Sequence, residues 1–564
     1  MKVSDYIVDF LAQKGITDVF GYPGGMVTHL MDSFSKQNAV SAHLNYHEQA
    51  SAFAACGYAQ VSHRPGVAFA TSGPGATNFV TGIANAYFDS IPCLFITGQV
   101  NTYESKKYLK VRQYGFQETD IVSIVRPVTK YAALITKAED IRYELEKAYA
   151  LALSGRPGPV LLDIPMNIQR ADIELSLLKG FEDMLPVPDF SLLPKVLEQL
   201  YQAKRPCILV GSGVKTADTV ALFRRLAKTL SIPVVSSMIA VDVCDSEVPY
   251  YGFTGAYGDR RANFILAKSD LIVSLGSRMS IRQVGVPKEN FSPQARLIRF
   301  DVDKDEMTNI IKQDEMQINI ELRHALEWLS NHAQEACQVQ GWLTVCNELS
   351  KTLSGIDDLV PHKLIHAISD IIPDHTVVTT DVGQNQVWVS QAFKAKRNQT
   401  LLFSGGHGAM GYSLPAAIGA YYASKNTVVS FNGDGGFQMN LQELQFIKRE
   451  NLPIKIIVFN NKALGMIRHF QEMYFERNYF QTVETQGYQA PSFAKIAYAY
   501  DIPYHLVESR EDLHADLLSG SSPTFIEVFL PGDSYVYPKL AMGKPNHDQE
   551  PLLDRGLYER LMQL

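Results

Sequence analysis

Short apolar runs that close on glycine, proline or a polar residue recur along the whole chain, with helix-periodic stretches between them. VAFATSGPG (67–75), IPCLFITGQ (91–99) and PVLLDIP (159–165) are examples. Runs of this length bounded by chain breakers read as strands buried on both faces, and strands that alternate with helices form parallel sheets covered by helices. The expected fold class is therefore α/β, built of doubly wound parallel sheets. In such sheets ligands bind at the carboxyl ends of the strands, where these closing glycines and polar residues lie.

A chain of 564 residues is too long for one core, and roughly 150 residues per domain suggests three or four. Two stretches break the pattern. LKGFEDMLPVPDFSLLP (178–194) loses all periodicity to proline and acidic residues, and 331–357 is a polar helical stretch running into TLSGIDD. They set expected domains at 1–177, 190–335 and 355–545, with a tail at 546–564. The middle domain opens with RPCILVGSGVKTADTVALFRRLAKTLSIPVV (205–235), a strand, glycine turn, helix and strand. That is similar to a nucleotide-binding βαβ unit, although a plain tight turn uses the same Gly-Ser-Gly. No short repeat is evident.

Composition narrows the function. Hydrophobic residues make up 46 % and charged residues 20 %, and the net charge of −7 gives no footprint for nucleic acid. No apolar run approaches the ~18 residues of a membrane span. The N-terminal stretch reads as an amphipathic helix with Val3, Ile7, Phe10 and Leu11 on one face, not as a signal peptide. Six scattered cysteines (Cys56, Cys93, Cys207, Cys244, Cys337, Cys346) without a C-x-x-C pair suit a reducing cytoplasm and are expected to be buried small hydrophobes. A cytoplasmic location is expected.

The last third carries the most specific chemistry. NTVVSFNGDGGF (426–437) is a strand closing on Gly433-Asp434-Gly435; the helical LQELQFIKREN follows, then the strand IKIIVFNN, which ends in Asn460-Asn461. Mg²⁺ prefers near-octahedral oxygen ligation through one or two protein groups plus phosphate oxygens. Asp434 offers a charged oxygen, Asn461 a neutral one, and the main chain at Ala463 a carbonyl. Gly433, Gly435 and Gly436 allow close backbone approach to a phosphate. G-D-G followed after about 25 residues by N-N is the diphosphate and metal signature of thiamine-diphosphate (ThDP) enzymes.

With these residues in hand, nearly the whole chain resembles the acetohydroxyacid (acetolactate) synthase branch of the ThDP-dependent decarboxylases. The resemblance implies three domains of about equal size: pyrimidine-binding, middle (often holding FAD) and diphosphate-binding. NYHEQASAFAACGYAQ (45–60) resembles the helix whose glutamate, here Glu48, hydrogen-bonds N1′ of the aminopyrimidine. Ala50, Ala54 and Gly57 would let that helix pack closely. GYPGG (21–25) implies Gly25 beside the substrate, ATSGPGATN (70–78) implies Pro74 and Asn78 along the thiamine, and GFQET (115–119) implies Phe116 and Gln117 in the pocket. SGGHGAMGYSLPAAIGA (404–420) resembles the loop that bends the cofactor, with the Gly408 carbonyl on the 4′-amino group and Met410 propping the rings. DVGQNQVW (381–388) implies Gln384 near the diphosphate, and Met466 joins the cofactor-binding set.

The implied reaction is decarboxylation of pyruvate and transfer of the two-carbon unit to a second 2-keto acid, giving 2-acetolactate. The alternative is transfer to another carbonyl, such as a keto-sugar. The implied cofactors are ThDP, Mg²⁺ and FAD. The implied assembly is a homo-oligomer, at least a dimer, because Glu48 of one subunit meets the diphosphate domain of another. GSRMSIRQVG (276–285) keeps Arg282, the arginine for the acceptor carboxylate, but has Ser280 and Ile281 at two positions that are acidic in the family. Phe470 replaces the family's tryptophan in MIRHFQ (466–471), and GFTG (252–255) replaces G-M-H-G. The tail is expected either as a lid over the cofactor or as a packed helix.

Overall fold

The computed structural model describes residues 1–183, 187–335 and 339–564. These residues form three parallel sheets of six strands each. The first holds β1 (Asp18–Gly21), β2 (Ser41–Leu44), β3 (Gly66–Ala70), β4 (Cys93–Gln99), β5 (Tyr131–Leu134) and β6 (Pro159–Pro165). The second holds β7 (Pro206–Val210), β8 (Val234–Ser236), β9 (Tyr250–Phe253), β10 (Leu271–Leu275), β11 (Arg296–Asp301) and β12 (Met316–Asn319). The third holds β13 (Val377–Thr380), β14 (Thr400–Leu402), β15 (Val428–Gly433), β16 (Ile454–Asn460), β17 (Tyr504–Val507) and β18 (Thr524–Phe529). The apolar runs read from the sequence at 67–75, 91–99 and 159–165 are β3, β4 and β6, buried along their length.

The first and third sheets share one order, β2-β1-β3-β4-β6-β5 and β14-β13-β15-β16-β18-β17, a repeat of topology that no short sequence repeat announces. The middle sheet runs β9-β8-β7-β10-β11-β12, the order of a dinucleotide-binding fold. Its order reverses between β7 and β10. There the Gly211 N–H donates to Leu275 O (2.9 Å), and a Cβ on Gly211 would stand 2.1 Å from Gly276 O, so only glycine lets the two turns meet.

The outer domains are locked together by two helices, Glu48–Ser62 and Ser413–Ser424. Of the small residues expected to allow close packing, Gly57 and Ala54 lie in the seam: a Cβ on Gly57 would lie 2.1 Å from Ala416 O, and one on Gly419 1.8 Å from Ala54 O. One apolar core runs through this helix pair into both outer sheets.

One expectation changes, and one pair of alternatives is decided. The 331–357 stretch is not a free linker: its helix Gln340–Leu353 buries Trp342, Cys346, Leu349 and Leu353 against the middle domain, and Trp342 Nε1 donates to Pro206 O (3.0 Å). Its apolar residues recur at helical spacing, and that stripe needs a core. The tail is a packed helix, Arg555–Gln563, with Leu561 in the same core and Lys268 Nζ donating to Met562 O (2.9 Å). The five described cysteines are buried and unpaired, with Cys56 and Cys93 sulfurs 4.0 Å apart; Cys337 lies outside the described residues. Among the described residues no helix is long and apolar enough to cross a membrane.

Candidate active site

β15 and β16 pair in register up to Gly433 opposite Phe459, so Asp434 and Asn460-Asn461 leave the sheet side by side. Asp434 is 3 % exposed, and burial pushes its carboxyl up to about 7. Its two oxygens accept the N–H groups of Gly435 (2.8 Å) and Ala463 (3.2 Å). Between them Lys462 takes the left-handed conformation (φ 51°), turning the chain back beneath Asp434. The Asn461 amide nitrogen donates to Gln384 Oε1 (3.0 Å), leaving its oxygen as the end that can ligate. Gln384 is held in turn by donating to Ser534 O (2.9 Å).

The third sheet's switch point lies between β13 and β15, and the residue just past β13 is Asp381. This carboxylate is fully buried, raised to about 7 by that burial, and accepts N–H groups from Val382 (2.7 Å), Gly411 (3.0 Å) and Ser413 (3.4 Å). It suspends the loop that carries Gly408 and Met410. At the loop's other end Asp89, from the N-terminal domain, accepts from Gly405 (3.1 Å) and Gly406 (2.6 Å); burial raises it too to about 7 against the pull of Arg278. Neither aspartate was singled out from the sequence. Asp381 was visible as the polar residue closing a strand, whereas Asp89 has no local signature.

The two strand ends and the suspended loop enclose one cavity of about 610 Å³, lined by Gln384, Gly408, Met410, Gly433, Asp434, Gly435, Gly436, Asn461, Ala463 and Met466. It continues into the middle domain past Ser212, Gly213 and Arg278, with Arg282 on its wall. The glycines divide by function. A Cβ on Gly433 or Gly383 would meet nothing within 4 Å and one on Gly408 only Val382 at 3.9 Å, so these three shape open space. A Cβ on Gly435 or Gly436 would instead stand 2.7 Å from the Leu464 side chain or from Asp381 Oδ1, so these two also fit closely against neighbouring side chains.

Apart from Phe470, the remaining candidates lie in the first domain, away from the cavity lining. Glu48 begins its helix behind the His47 cap and accepts from Asn78 Nδ2 (2.9 Å). A Cβ on Gly75 would be 3.1 Å from Glu48 Oε1, so Pro74-Gly75 lies directly against the carboxylate. Gln117, in the left-handed conformation (φ 62°), packs on Gly73, and the neighbouring Phe116 is 78 % exposed. Gly25 is exposed, next to Met26, whose N–H donates to Thr71 Oγ1 (3.2 Å). Phe470 is one turn beyond Met466 and 45 % exposed, packed on Tyr474. Among the described residues of one chain, then, Glu48, Gly25, Pro74, Asn78, Phe116, Gln117 and Phe470 do not line the cavity.

Comparison with known proteins matches residues 1–124 to "Thiamine pyrophosphate enzyme, N-terminal TPP binding domain", 193–329 to its central domain and 381–528 to its C-terminal TPP binding domain. The chain is 34 % identical to the acetolactate synthase isozyme 2 large subunit of Escherichia coli K12, over 97 % of this chain and 99 % of that one. It is 35 % identical to the acetolactate synthase large subunit of Lactococcus lactis, over 96 % and 94 %. The rice chloroplastic acetolactate synthase 1 matches at 34 %, over 96 % and 86 %. Three thiamine pyrophosphate domains in sequence and full-length likeness to these large subunits place this chain in the acetolactate synthase family of thiamine pyrophosphate enzymes.

Proposed function

We propose that the protein is a ThDP- and Mg²⁺-dependent carboligase that decarboxylates pyruvate and transfers the two-carbon unit to a second 2-keto acid, forming 2-acetolactate. The observation that carries this reading is the convergence of Asp434, Asn461, Gln384 and the open-faced glycines on one cavity at the switch point of the third sheet.

The donor set fits a cation held jointly by protein and diphosphate. Asp434 supplies one charge, Asn461 an amide oxygen and Ala463 a carbonyl, so phosphate oxygens are needed to complete an octahedral shell. A divalent cation beside Asp434 would also hold that carboxylate ionised. When bound, ThDP supplies the electron sink that lets CO₂ leave. Glu48 would hold a proton on the aminopyrimidine, and the Gly408 carbonyl and the Met410 side chain would hold the cofactor's rings in the cavity. Gln117 and Gly25 border the reacting carbonyl. Arg282 binds the acceptor carboxylate and Phe470 shapes the acceptor side. FAD would be held in the cavity's extension into the middle domain, against Ser212, Gly213 and Arg278.

Because Glu48 and the diphosphate corner do not share the cavity within one chain, the working unit is a homodimer, with Glu48 of one subunit reaching the corner of the other. The test is product analysis of the purified protein with pyruvate, ThDP and Mg²⁺. Acetolactate is expected, and Glu48→Gln is expected to lower the rate about 10²–10⁴-fold with ThDP still bound. CO₂ without acetolactate would refute the acceptor assignment.

A further inference from the structure

The C-terminal segment returns to the turn that forms part of the cavity wall. Backbone bonds from Lys539 N–H to Glu550 O (2.9 Å) and from Glu550 N–H to Lys539 O (2.8 Å) close residues 540–549 into a loop. That loop is bolted to the middle domain. Arg260, whose side chain is 2 % exposed, pairs with Asp357 (2.8 Å) and donates to Gln549 O (3.0 Å) and Pro551 O (2.7 Å); Gln549 Nε2 donates to Gly258 O (3.0 Å).

From this anchored base two contacts reach the turn that carries Arg282. The Leu540 N–H donates to Ala256 O (2.7 Å), and the Ala256 N–H donates to Arg282 O (2.8 Å). The buried Asn546 Nδ2 donates to Gln283 O (2.7 Å), while Ser277 Oγ donates to the Gln283 side chain (2.7 Å). Gly285 ends the turn at φ 82°, where a Cβ would stand 2.9 Å from Asn546 Oδ1. The one-turn helix Ile281–Val284 is too short to hold its own shape, since its internal hydrogen bonds barely repay the backbone order they need. Its geometry comes from these external bonds. Gln283 is buried with its backbone carbonyl on Asn546, and both it and Arg282 border the cavity.

We propose that the loop 540–549 is a positioning clamp for the acceptor: through Asn546 it fixes the turn that presents Arg282, and so governs acceptor binding without touching the acceptor. This rests on the reading of Arg282 as the residue that binds the acceptor carboxylate. Asn546→Asp keeps the side chain's shape but replaces the donor with a carboxylate facing the Gln283 carbonyl, which loosens the turn.

The test uses the full chain loaded with ThDP and Mg²⁺, with 2-ketobutyrate as the acceptor probe. Asn546→Asp should raise KM for 2-ketobutyrate about tenfold, with kcat and the single-turnover release of CO₂ from pyruvate changed by less than about twofold. Arg282→Gln should raise the same KM, and the double variant should be no worse than Arg282→Gln alone, because the clamp acts through that arginine. Additive penalties would show a merely structural role and overturn the proposal. If Arg282→Gln raises KM while Asn546→Asp does not, the clamp falls and the acceptor reading stands. If Arg282→Gln leaves KM unchanged, the acceptor reading falls and the clamp with it. Should Asn546→Asp not fold, the same cycle with Asn546→Ser decides.

Discussion

Gly465 shows how closely the Asp434–Asn461 corner is fitted: a Cβ there would stand 1.7 Å from Gln384 Oε1, the atom that accepts from Asn461. In Gly465→Ala the flexible Gln384 side chain has to swing away, and Asn461 loses the bond that orients its oxygen. The expected result is Mg²⁺ affinity weakened roughly fivefold, about one hydrogen bond's worth, with the melting temperature nearly unchanged; calorimetric titration of Mg²⁺ in the presence of ThDP checks it. Asp434 and Asn461 were legible in the sequence because each closes a strand, and the helix-length gap between the two strands is itself a readable feature. Gly465, Asp89 and Asn546 were not. Their work consists of contacts with residues far along the chain, and no local pattern encodes a distance of that kind. Gly435 and Gly436 carry a second demand that a string of letters does not display, since a glycine that borders open space and one that admits a neighbouring side chain look the same there.

At the level of elements, strands and helices followed from periodicity, but their neighbours did not. Nothing in β1 to β6 taken alone says that their order will recur in β13 to β18, because order depends on the path of the crossovers and not on the pattern of any strand. The helix Gln340–Leu353 makes the same point in reverse. Its polar surface suggested a linker, yet its apolar stripe belongs to the core beneath the middle sheet. Trp342→Ala should therefore behave as a core mutation, costing about 3–5 kcal/mol on denaturant titration. A loss below about 1 kcal/mol would restore the linker description.

For the molecule as a whole, the separation of Glu48 from the cavity makes a prediction that needs two chains. Glu48→Gln and Asp434→Ala variants, each nearly inactive alone, should recover activity when mixed under conditions that let subunits exchange. A mixed dimer then has one corner with both groups intact. No recovery despite demonstrated exchange would mean that each chain completes its own site.

The close seam between the helices Glu48–Ser62 and Ser413–Ser424 also bears on how the protein is made. Synthesis runs from the N-terminus, so the first domain emerges with its alanine-glycine stripe bare, and the helix that covers it follows only after the entire middle domain has been translated. Until then the nascent chain displays an apolar ridge shaped for one particular groove, a surface that invites holding by a chaperone or mispairing with a neighbouring nascent copy. Maturation of the N-terminal domain thus waits on the last third of the chain.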